Sequence, residues 1–162
     1  MPYYDQGEKM QNRRTKILIV DDQPEIVSTL MHCLALRGYL VQGALNSDDA
    51  LGILEKERAD LILLDIMMPG LNGADFARVI KERYPATKVI IITGYPNAAE
   101  NLKGKNLVEA LFIKPVDSKE LYATIKALDE RIREELKLTV LYFKTRLLMM
   151  MQAALKQNYK NN

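Results

Sequence analysis

The sequence predicts an α/β fold in which five parallel strands form one doubly wound sheet with helices on both faces. Five short aliphatic runs recur along the chain: ILIV (17–20), LVQGAL (40–45), LILL (61–64), VIIIT (89–93) and ALFI (110–113). Helix-like segments separate these runs, and such alternation is typical of a parallel sheet covered on both faces. Runs without polar alternation also suit strands that are buried on both sides. We therefore expect a (βα)5 domain over about residues 15–128.

Length and composition agree with one globular domain plus an appendage. The chain has 162 residues, of which 48% are hydrophobic and 27% charged, as in soluble globular proteins. A net charge of +2 gives no argument for nucleic acid. The single cysteine, Cys33, rules out an intramolecular disulfide. Residues 1–14 lack the apolar stretch of a secretion signal, so we expect a polar arm and a cytoplasmic protein.

The first two helices have recognisable boundaries. Pro24 opens the first helix, where its missing N–H does no harm, and Gly38 stands where a helix is expected to end. One face of that helix is apolar: Ile26, Val27, Leu30 and Leu34. Ser47 is the predicted N-cap of the second helix, SDDALGILEKE.

The next two helical segments differ in strength. Gly73 precedes a third helix, ADFARVIKERY, with Phe76, Val79 and Ile80 on its apolar face. The fourth candidate, PNAAENLKGKN, is short and contains Gly104, so it predicts a weak helix.

After Pro115, residues 117–160 contain no proline or glycine and predict one long helix that Asp117 or Ser118 can cap. Such a helix of about 40 residues would span roughly 60 Å at 1.5 Å per residue. Its apolar residues follow a coiled-coil spacing with one irregularity: Leu121, Ile125, Leu128, Ile132, Leu136, Val140, Phe143, Leu147, Met150 and Ala154.

Residues 138–155 are apolar nearly all round, which predicts burial on more than one face. The favoured interpretation is a homodimer formed through a C-terminal extension, residues 129–162, with a four-helix arrangement as one form of it. A helix folded back on its own domain, a lipid surface and another protein remain alternatives. A membrane span is disfavoured because Lys144 and Arg146 interrupt the apolar run. The tail has no helix-turn-helix, so we expect no nucleic-acid binding.

Charged and polar side chains follow the strands at one predicted edge of the sheet. Asp21 and Asp22 follow the first run, Asp65 follows the third, Thr93 ends the fourth, and Lys114 follows the fifth. Because the carboxyl ends of parallel strands share one edge, these side chains should gather there, where ligands of such sheets bind.

The chemistry of this set points to a metal-assisted phosphoryl transfer. Three neighbouring carboxylates repel one another unless a cation lies among them, and hard oxygen ligands of this kind suit Mg²⁺. Lys114 and the Thr93 hydroxyl can contact phosphoryl oxygens, and a carboxylate can act as the nucleophile. Asp65 is the best candidate because it stands alone after the middle strand of the three.

Four motifs, VDDQPE, DIMMPGLNG, ITG and KP, occur in an order and spacing that resembles the receiver domain of bacterial two-component response regulators. The resemblance covers about residues 15–128. It implies a flavodoxin-like sheet with strand order 2-1-3-4-5 and a signalling domain rather than an enzyme. The phosphoryl donor would be the phosphohistidine of a sensor histidine kinase or a phosphotransfer protein.

The resemblance also assigns roles to single residues. Asp65 would accept the phosphoryl group, Thr93 would donate a hydrogen bond to it, and Lys114 would pair with it. The bond between Lys114 and Pro115 is often cis in this family. Mg²⁺ would be held by Asp65, by Asp22 directly, by Asp21 through water and by the backbone carbonyl of Met67.

Two departures from the family pattern affect signalling and turnover. Leu111 stands where the family usually has an aromatic switch residue, and Phe112 next to it should point to the other face of the sheet. Met67 and Tyr95 flank the phosphorylation site, and neither offers a carboxylate or an amide to orient an attacking water. We therefore predict slow self-dephosphorylation.

Three other functions compete with a phosphorylation-controlled switch. Leu111 slightly favours a scaffold of receiver fold that assembles partners whatever its phosphate state, whereas the complete acidic set and Lys114 disfavour it. A phosphatase or phosphotransferase is less favoured, since such enzymes commonly carry a second aspartate where this chain has Met67. The chain could also be a fragment of a longer regulator whose output domain followed Asn162.

Overall fold

A computed structural model of the chain describes residues 13–68, 73–95, 97, 102 and 107–160, with backbone alone for 157–160. The strands are β1 (Lys16–Val20), β2 (Leu40–Ala44), β3 (Leu61–Leu64), β4 (Lys88–Thr93) and β5 (Ala110–Ile113). The helices are α1 (Pro24–Ala35), α2 (Ser47–Lys56), α3 (Gly73–Arg83) and α4 (Ser118–Lys160). Each strand lies within a residue of its predicted position. The predicted fourth helix falls almost entirely outside the described residues.

The five strands form one parallel sheet in the order β2-β1-β3-β4-β5. This confirms the predicted doubly wound fold and its strand order. The register places Val20 beside Leu64 and Leu64 beside Ile91, so β1 and β3 end level with each other and β4 continues two residues further along the same edge, to Thr93. The residues that follow these strands therefore emerge along a single edge.

The two faces of the sheet have separate hydrophobic clusters. The first cluster joins one face to α2 and α3 and includes Leu18, Ile62, Phe76 and Ile91. The second joins the other face to α1 and the start of α4 and includes Ile19, Leu34, Leu63, Ile90 and Leu121. Burying one such side chain stabilises the fold by about 1.5–3 kcal/mol. Aliphatic runs without alternation therefore contribute to both clusters.

Asn46, not Ser47, is the N-cap of α2, which corrects the predicted cap. The Asn46 side chain accepts a hydrogen bond from the Asp49 N–H at 2.8 Å, whereas Ser47 is buried as the first helical residue. Both residue types favour caps, so the two neighbours compete for one position. At the end of α1, Gly38 has φ of +90° and accommodates the turn, as predicted.

Asp117 caps α4, because its Oδ1 accepts hydrogen bonds from the Lys119 and Glu120 N–H groups at 2.7 and 3.3 Å. The helix is continuous over 43 residues, as predicted. The chain divides within it: Arg14–Leu128 forms one compact unit, and a second unit includes the helix from Asp129 onward. Within the described part of the chain, no helix is long and apolar enough to cross a bilayer.

Candidate functional site

Three aspartates meet at the edge of the sheet where β1 and β3 end. Asp21 and Asp22 follow β1, and Asp65 follows β3. The Asp65 N–H donates to the Val20 carbonyl at 2.9 Å, which fixes its backbone beside β1. One carboxylate oxygen from each aspartate lies within 4.8 Å of the other two. The predicted carboxylate cluster is therefore present.

Burial increases the electrostatic cost of holding these three carboxylates close together. Asp21 is 4% exposed and Asp65 is 5% exposed, while Asp22 is half-buried. Ionised carboxylates at such short separation repel one another, and burial strengthens the repulsion by lowering the local dielectric constant. A cation bound among the carboxylates would reduce this repulsion.

Lys114 supplies a cation to two of the three carboxylates. Its Nζ lies 2.7 Å from Asp21 Oδ2 and 2.6 Å from Asp65 Oδ2. Burial lowers the pKa of Lys114, but the hydrogen bonds and negative charges of Asp21 and Asp65 outweigh it and raise the pKa above its usual value. The ammonium group is therefore protonated at neutral pH and bridges the two carboxylates.

Backbone N–H groups hold the second oxygen of each bridged carboxylate. The Gln23 N–H donates to Asp21 Oδ1 at 2.9 Å, and the Met67 N–H donates to Asp65 Oδ1 at 3.0 Å. Each carboxylate thus has one oxygen bonded to the backbone and the other directed to Lys114. This arrangement orients Asp65 without using the oxygen that contacts the lysine.

Thr93 lies at the same edge but makes a different contact. Its side chain is fully buried, and its Oγ1 accepts a hydrogen bond from the Tyr95 N–H at 3.1 Å. The Lys114 N–H donates to the Thr93 carbonyl at 2.8 Å, which ties the end of β5 to the end of β4. The structure thus places Thr93 next to the strand that delivers Lys114, and the Lys114–Pro115 peptide bond is cis.

A cavity of about 420 Å³ opens over the cluster. Its wall contains site residues that the sequence predicted and three that it did not. The lining is Asp22, Gln23, Asp65, Met67, Met68, Gly94, Tyr95 and Lys114. Gln23, Met68 and Gly94 are each adjacent in the sequence to a predicted site residue, and only that adjacency could have indicated that they line the cavity. Met67 lines the cavity with a half-exposed side chain, as expected of a flanking position.

Leu111 and Phe112 point to opposite faces of the sheet, as strand alternation predicts. Leu111 is half-buried against the first hydrophobic cluster, whereas Phe112 is buried in the second. An aromatic side chain is therefore absent from the position where the family pattern places one.

A family model described as the response regulator receiver domain matches residues 17–126. The chain belongs to this family. Receiver domains are signalling domains whose general function is to accept a phosphoryl group, and their partners are histidine kinases or phosphotransfer proteins. The resemblance stated above from four motifs is thereby confirmed.

Relatives and solved structures agree with a receiver domain. The chain is 35% identical over 122 residues to the transcriptional regulatory protein ResD of Bacillus subtilis. That match covers 75% of this chain and 50% of ResD, so the chain spans about half the length of this curated relative.

Two solved receiver structures match most of the chain. The receiver domain of an HD domain-containing protein from Pseudomonas fluorescens has a TM-score of 0.71 at 27% identity, covering 75% of this chain and 99% of that one. The response regulator TrrA of Thermotoga maritima, in complex with Mg²⁺ and a beryllium fluoride, has a TM-score of 0.64 at 31% identity. It covers 70% of this chain and 98% of its own.

Proposed function

We propose that this receiver domain accepts a phosphoryl group on Asp65 in a Mg²⁺-dependent reaction. The donor is the phosphohistidine of a sensor histidine kinase or of a phosphotransfer protein. The observation that carries the proposal is the bridge from Lys114 to Asp21 and Asp65 beside a third carboxylate. In this proposal the receiver domain comprises residues 15–128, and residues 129–162 form a helical extension that joins two copies.

The donor set fits Mg²⁺. The cluster offers three carboxylates, whose oxygens are the hard ligands that Mg²⁺ prefers, and their mutual separation within 4.8 Å suits ligands about 2.1 Å from one ion. Asp22 and Asp65 would hold the ion directly, Asp21 through water, and the Met67 carbonyl would complete the protein ligands. When bound, Mg²⁺ neutralises negative charge on the carboxylates and on the entering phosphoryl oxygens.

Asp65 is prepared to act as the nucleophile. Its Oδ1 is held by the Met67 N–H, and the cavity over the cluster gives a phosphoryl donor access to the carboxylate. In the transfer, a carboxylate oxygen of Asp65 forms the new O–P bond while the bond from phosphorus to the histidine nitrogen breaks. Lys114, already 2.6 Å from Asp65 Oδ2, then balances charge on the phosphoryl oxygens.

Thr93 can contact the product without losing its present hydrogen bond. A hydroxyl has one O–H donor and two acceptor lone pairs, and the Tyr95 N–H uses one lone pair. The O–H of Thr93 therefore stays available to donate to a phosphoryl oxygen. In this proposal, Thr93 and Lys114 together report the presence of the phosphoryl group to β4 and β5.

The helical extension supports association with a second copy. Along the coiled-coil spacing, Phe143, Leu147 and Met150 are all more than half exposed. Large apolar side chains at this spacing form the seam of helix pairs. Phosphorylation would regulate the protein by changing the stability of this association, because a ligand shifts an equilibrium only through its different affinity for the two states.

One experiment tests both parts of the proposal. The full chain is incubated with a small phosphodonor, or with beryllofluoride, with Mg²⁺ or with EDTA, and its covalent mass and sedimentation are measured. With the phosphodonor, we expect one phosphoryl group per chain when Mg²⁺ is present, and none with EDTA or in Asp65→Asn. We also expect a change in association that requires Asp65. The matched control Asp48→Asn, an exposed aspartate on α2, should behave like wild type.

A phosphate-independent scaffold is the second candidate, and Leu111 is the observation that favours it. Without an aromatic at this position, β5 lacks the side chain by which the family commonly couples phosphate to its surface. Phosphoryl labelling with unchanged association would support the scaffold. Absence of labelling would contradict the phosphoacceptor proposal itself.

A further inference from the structure

Among the described residues up to Leu128, Met67 is the methionine whose side chain is most accessible to water. It is 46% exposed. The adjacent Met68 is only 8% exposed and lies in the first hydrophobic cluster, and Met31 is half-buried against the second cluster. Met67 and Met68 both line the cavity over the carboxylates, so two neighbouring thioethers at one site differ in their access to reagents from solution.

Met67 is also bonded directly to the carboxylate that accepts the phosphoryl group in the proposed function. Its N–H donates to Asp65 Oδ1 at 3.0 Å. Asp65 and Lys114 line the same cavity as Met67. A chemical change in the Met67 side chain would therefore take place beside the site of phosphoryl transfer.

An accessible methionine thioether reacts with peroxides. Hydrogen peroxide transfers one oxygen atom to sulfur: an S–O bond forms, the O–O bond breaks, and the proton of the transferred hydroxyl moves to the leaving oxygen, which departs as water. Sulfur is oxidised by two electrons and peroxide is reduced by two. The product is a polar sulfoxide, which methionine sulfoxide reductases convert back to the thioether.

Oxidation changes what Met67 can do in the cavity. A thioether sulfur is a weak hydrogen-bond acceptor, so Met67 as encoded does not orient water. The sulfoxide oxygen is a strong acceptor. The cavity of about 420 Å³ has room for it beside a phosphoryl group, since a water molecule occupies only about 30 Å³ of the liquid.

We infer that Met67 is an oxidation site through which peroxide shortens the lifetime of the phosphorylated receiver domain. The sulfoxide oxygen accepts a hydrogen bond from a water molecule and directs its lone pair toward phosphorus, so the acyl phosphate hydrolyses faster. One neutral hydrogen bond corresponds to about 2- to 10-fold in rate, and we expect the half-life to fall by this factor. The inference rests on the proposed phosphorylation of Asp65 and adds its regulation.

The phosphoryl half-life of the full chain before and after oxidation tests this inference. The chain is treated with hydrogen peroxide, the peroxide is removed with catalase, and the chain is labelled with a small phosphodonor in Mg²⁺. After removal of the donor, intact mass follows the loss of the phosphoryl group, and peptide mass spectrometry locates each added oxygen atom. We expect a shorter half-life when Met67 is oxidised and recovery after treatment with methionine sulfoxide reductases. Circular dichroism checks that the oxidised chain remains folded.

Three variants, each compared with its own untreated sample, assign the effect to one sulfur. Met67→Leu removes the accessible thioether, so its half-life should not respond to peroxide. Met68→Leu should keep the response, because Met68 is buried. The triple variant Met149→Leu, Met150→Leu, Met151→Leu should keep it as well, although these three side chains on α4 are more than half exposed.

The outcomes separate this inference from the proposed function. An oxidised Met67 with an unchanged phosphoryl half-life overturns the inference and leaves phosphorylation of Asp65 intact. The same holds if Met67→Leu responds to peroxide as the wild type does, or if Met67 stays reduced while the methionines of α4 are oxidised. An untreated chain that takes no phosphoryl group overturns the phosphoacceptor proposal and the inference with it.

Discussion

At the scale of single residues, Asp65 shows how a carboxylate can lie at the end of a fully buried strand. Its Oδ1 accepts the Met67 N–H and its Oδ2 contacts the Lys114 ammonium, so both oxygens are paired although the residue is 5% exposed. Hydrogen bonds to charged groups contribute about 1.5–3 kcal/mol each. The same lysine also balances Asp21, so one cation stabilises two buried negative charges.

Replacing Lys114 with Met should therefore destabilise the domain when metal is removed. The variant leaves Asp21 and Asp65 without their shared cation, and we expect a loss of about 1–3 kcal/mol in unfolding free energy in EDTA. Adding Mg²⁺ should recover part of this loss, because the ion binds the same carboxylates. Urea denaturation measures both effects. The exposed Lys126→Met serves as control and should change stability little in either buffer.

The pH dependence of that difference follows from the raised pKa of Lys114. A raised pKa means that protonated Lys114 stabilises the folded state fully below its usual value of 10.5. The contribution is lost only as the pH rises through the higher folded value. In EDTA, wild type and Lys114→Met should differ by a constant free energy from neutral pH to about pH 10 and converge above it. A difference in unfolding free energy that vanished near neutral pH would contradict the ion pairs of Lys114 with Asp21 and Asp65.

Met67 and Tyr95 line the cavity and should make the phosphorylated domain long-lived. Neither provides a carboxylate or an amide to orient water. We expect a phosphoryl half-life of minutes or longer, and Met67→Glu should shorten it about 10-fold or more, since general bases contribute on the order of 10²–10⁴-fold. Tyr95→Phe is the matched control and should change it little. A wild-type half-life of seconds would show that another group activates water.

At the scale of elements, the strands were predictable because each has an unbroken aliphatic run that is buried on both faces. Strand order followed from the family resemblance, and the long helix followed from the absence of proline and glycine. The cap of α2 was less determined, because Asn46 and Ser47 are both good capping residues. Which one serves depends on the chain path from β2, and a local sequence pattern does not contain that path.

The site was predictable to the same extent. Asp21, Asp22, Asp65 and Lys114 gather because parallel strands end at one edge, which sequence spacing indicates. The direct bridge from Lys114 to Asp21 was not predicted, because it depends on side-chain reach across β3 and β4. The cavity lining by Gln23 and Gly94 likewise depends on backbone path.

Gly73 shows how tightly α3 approaches the site. A Cβ at this position would lie 2.5 Å from Ile66 Cα and 2.6 Å from the Asp65 carbonyl oxygen, and both are backbone atoms with little freedom to move. Gly73→Ala should therefore destabilise the domain by about 1–3 kcal/mol and slow phosphorylation by displacing the backbone around Asp65.

Gly52 provides the matched control for this substitution. It lies inside α2, and apart from its chain neighbours and the helix's own backbone no atom lies within 4 Å of an added Cβ, so Gly52→Ala should stabilise by roughly 0.5–1 kcal/mol through helix propensity. Urea denaturation and the initial rate of phosphoryl labelling measure both variants. Equal effects at the two glycines would contradict the close approach of α3 to the backbone of Asp65 and Ile66.

At the scale of the whole molecule, the chain combines a receiver domain with a helix whose later part carries apolar side chains in water. In the proposed function, the receiver domain supplies a site that changes charge on phosphorylation, and the helix supplies a surface for association. In the proposed mechanism the phosphoryl group acts through Thr93 and Lys114 on β4 and β5. Because Leu111 occupies the position of the usual aromatic switch, the coupling of the phosphoryl group to β4 and β5 would differ from the family's usual one.

The central claim is that Asp65 receives the phosphoryl group in a site that needs Mg²⁺. The most direct measurement incubates the full chain with a small phosphodonor, reduces the acyl phosphate with borohydride, and locates the modified residue by peptide mass spectrometry. We predict modification of Asp65 in Mg²⁺ and none in EDTA. Modification of Asp21 or Asp22 instead, or equal modification of Asp65 in EDTA, would contradict the account.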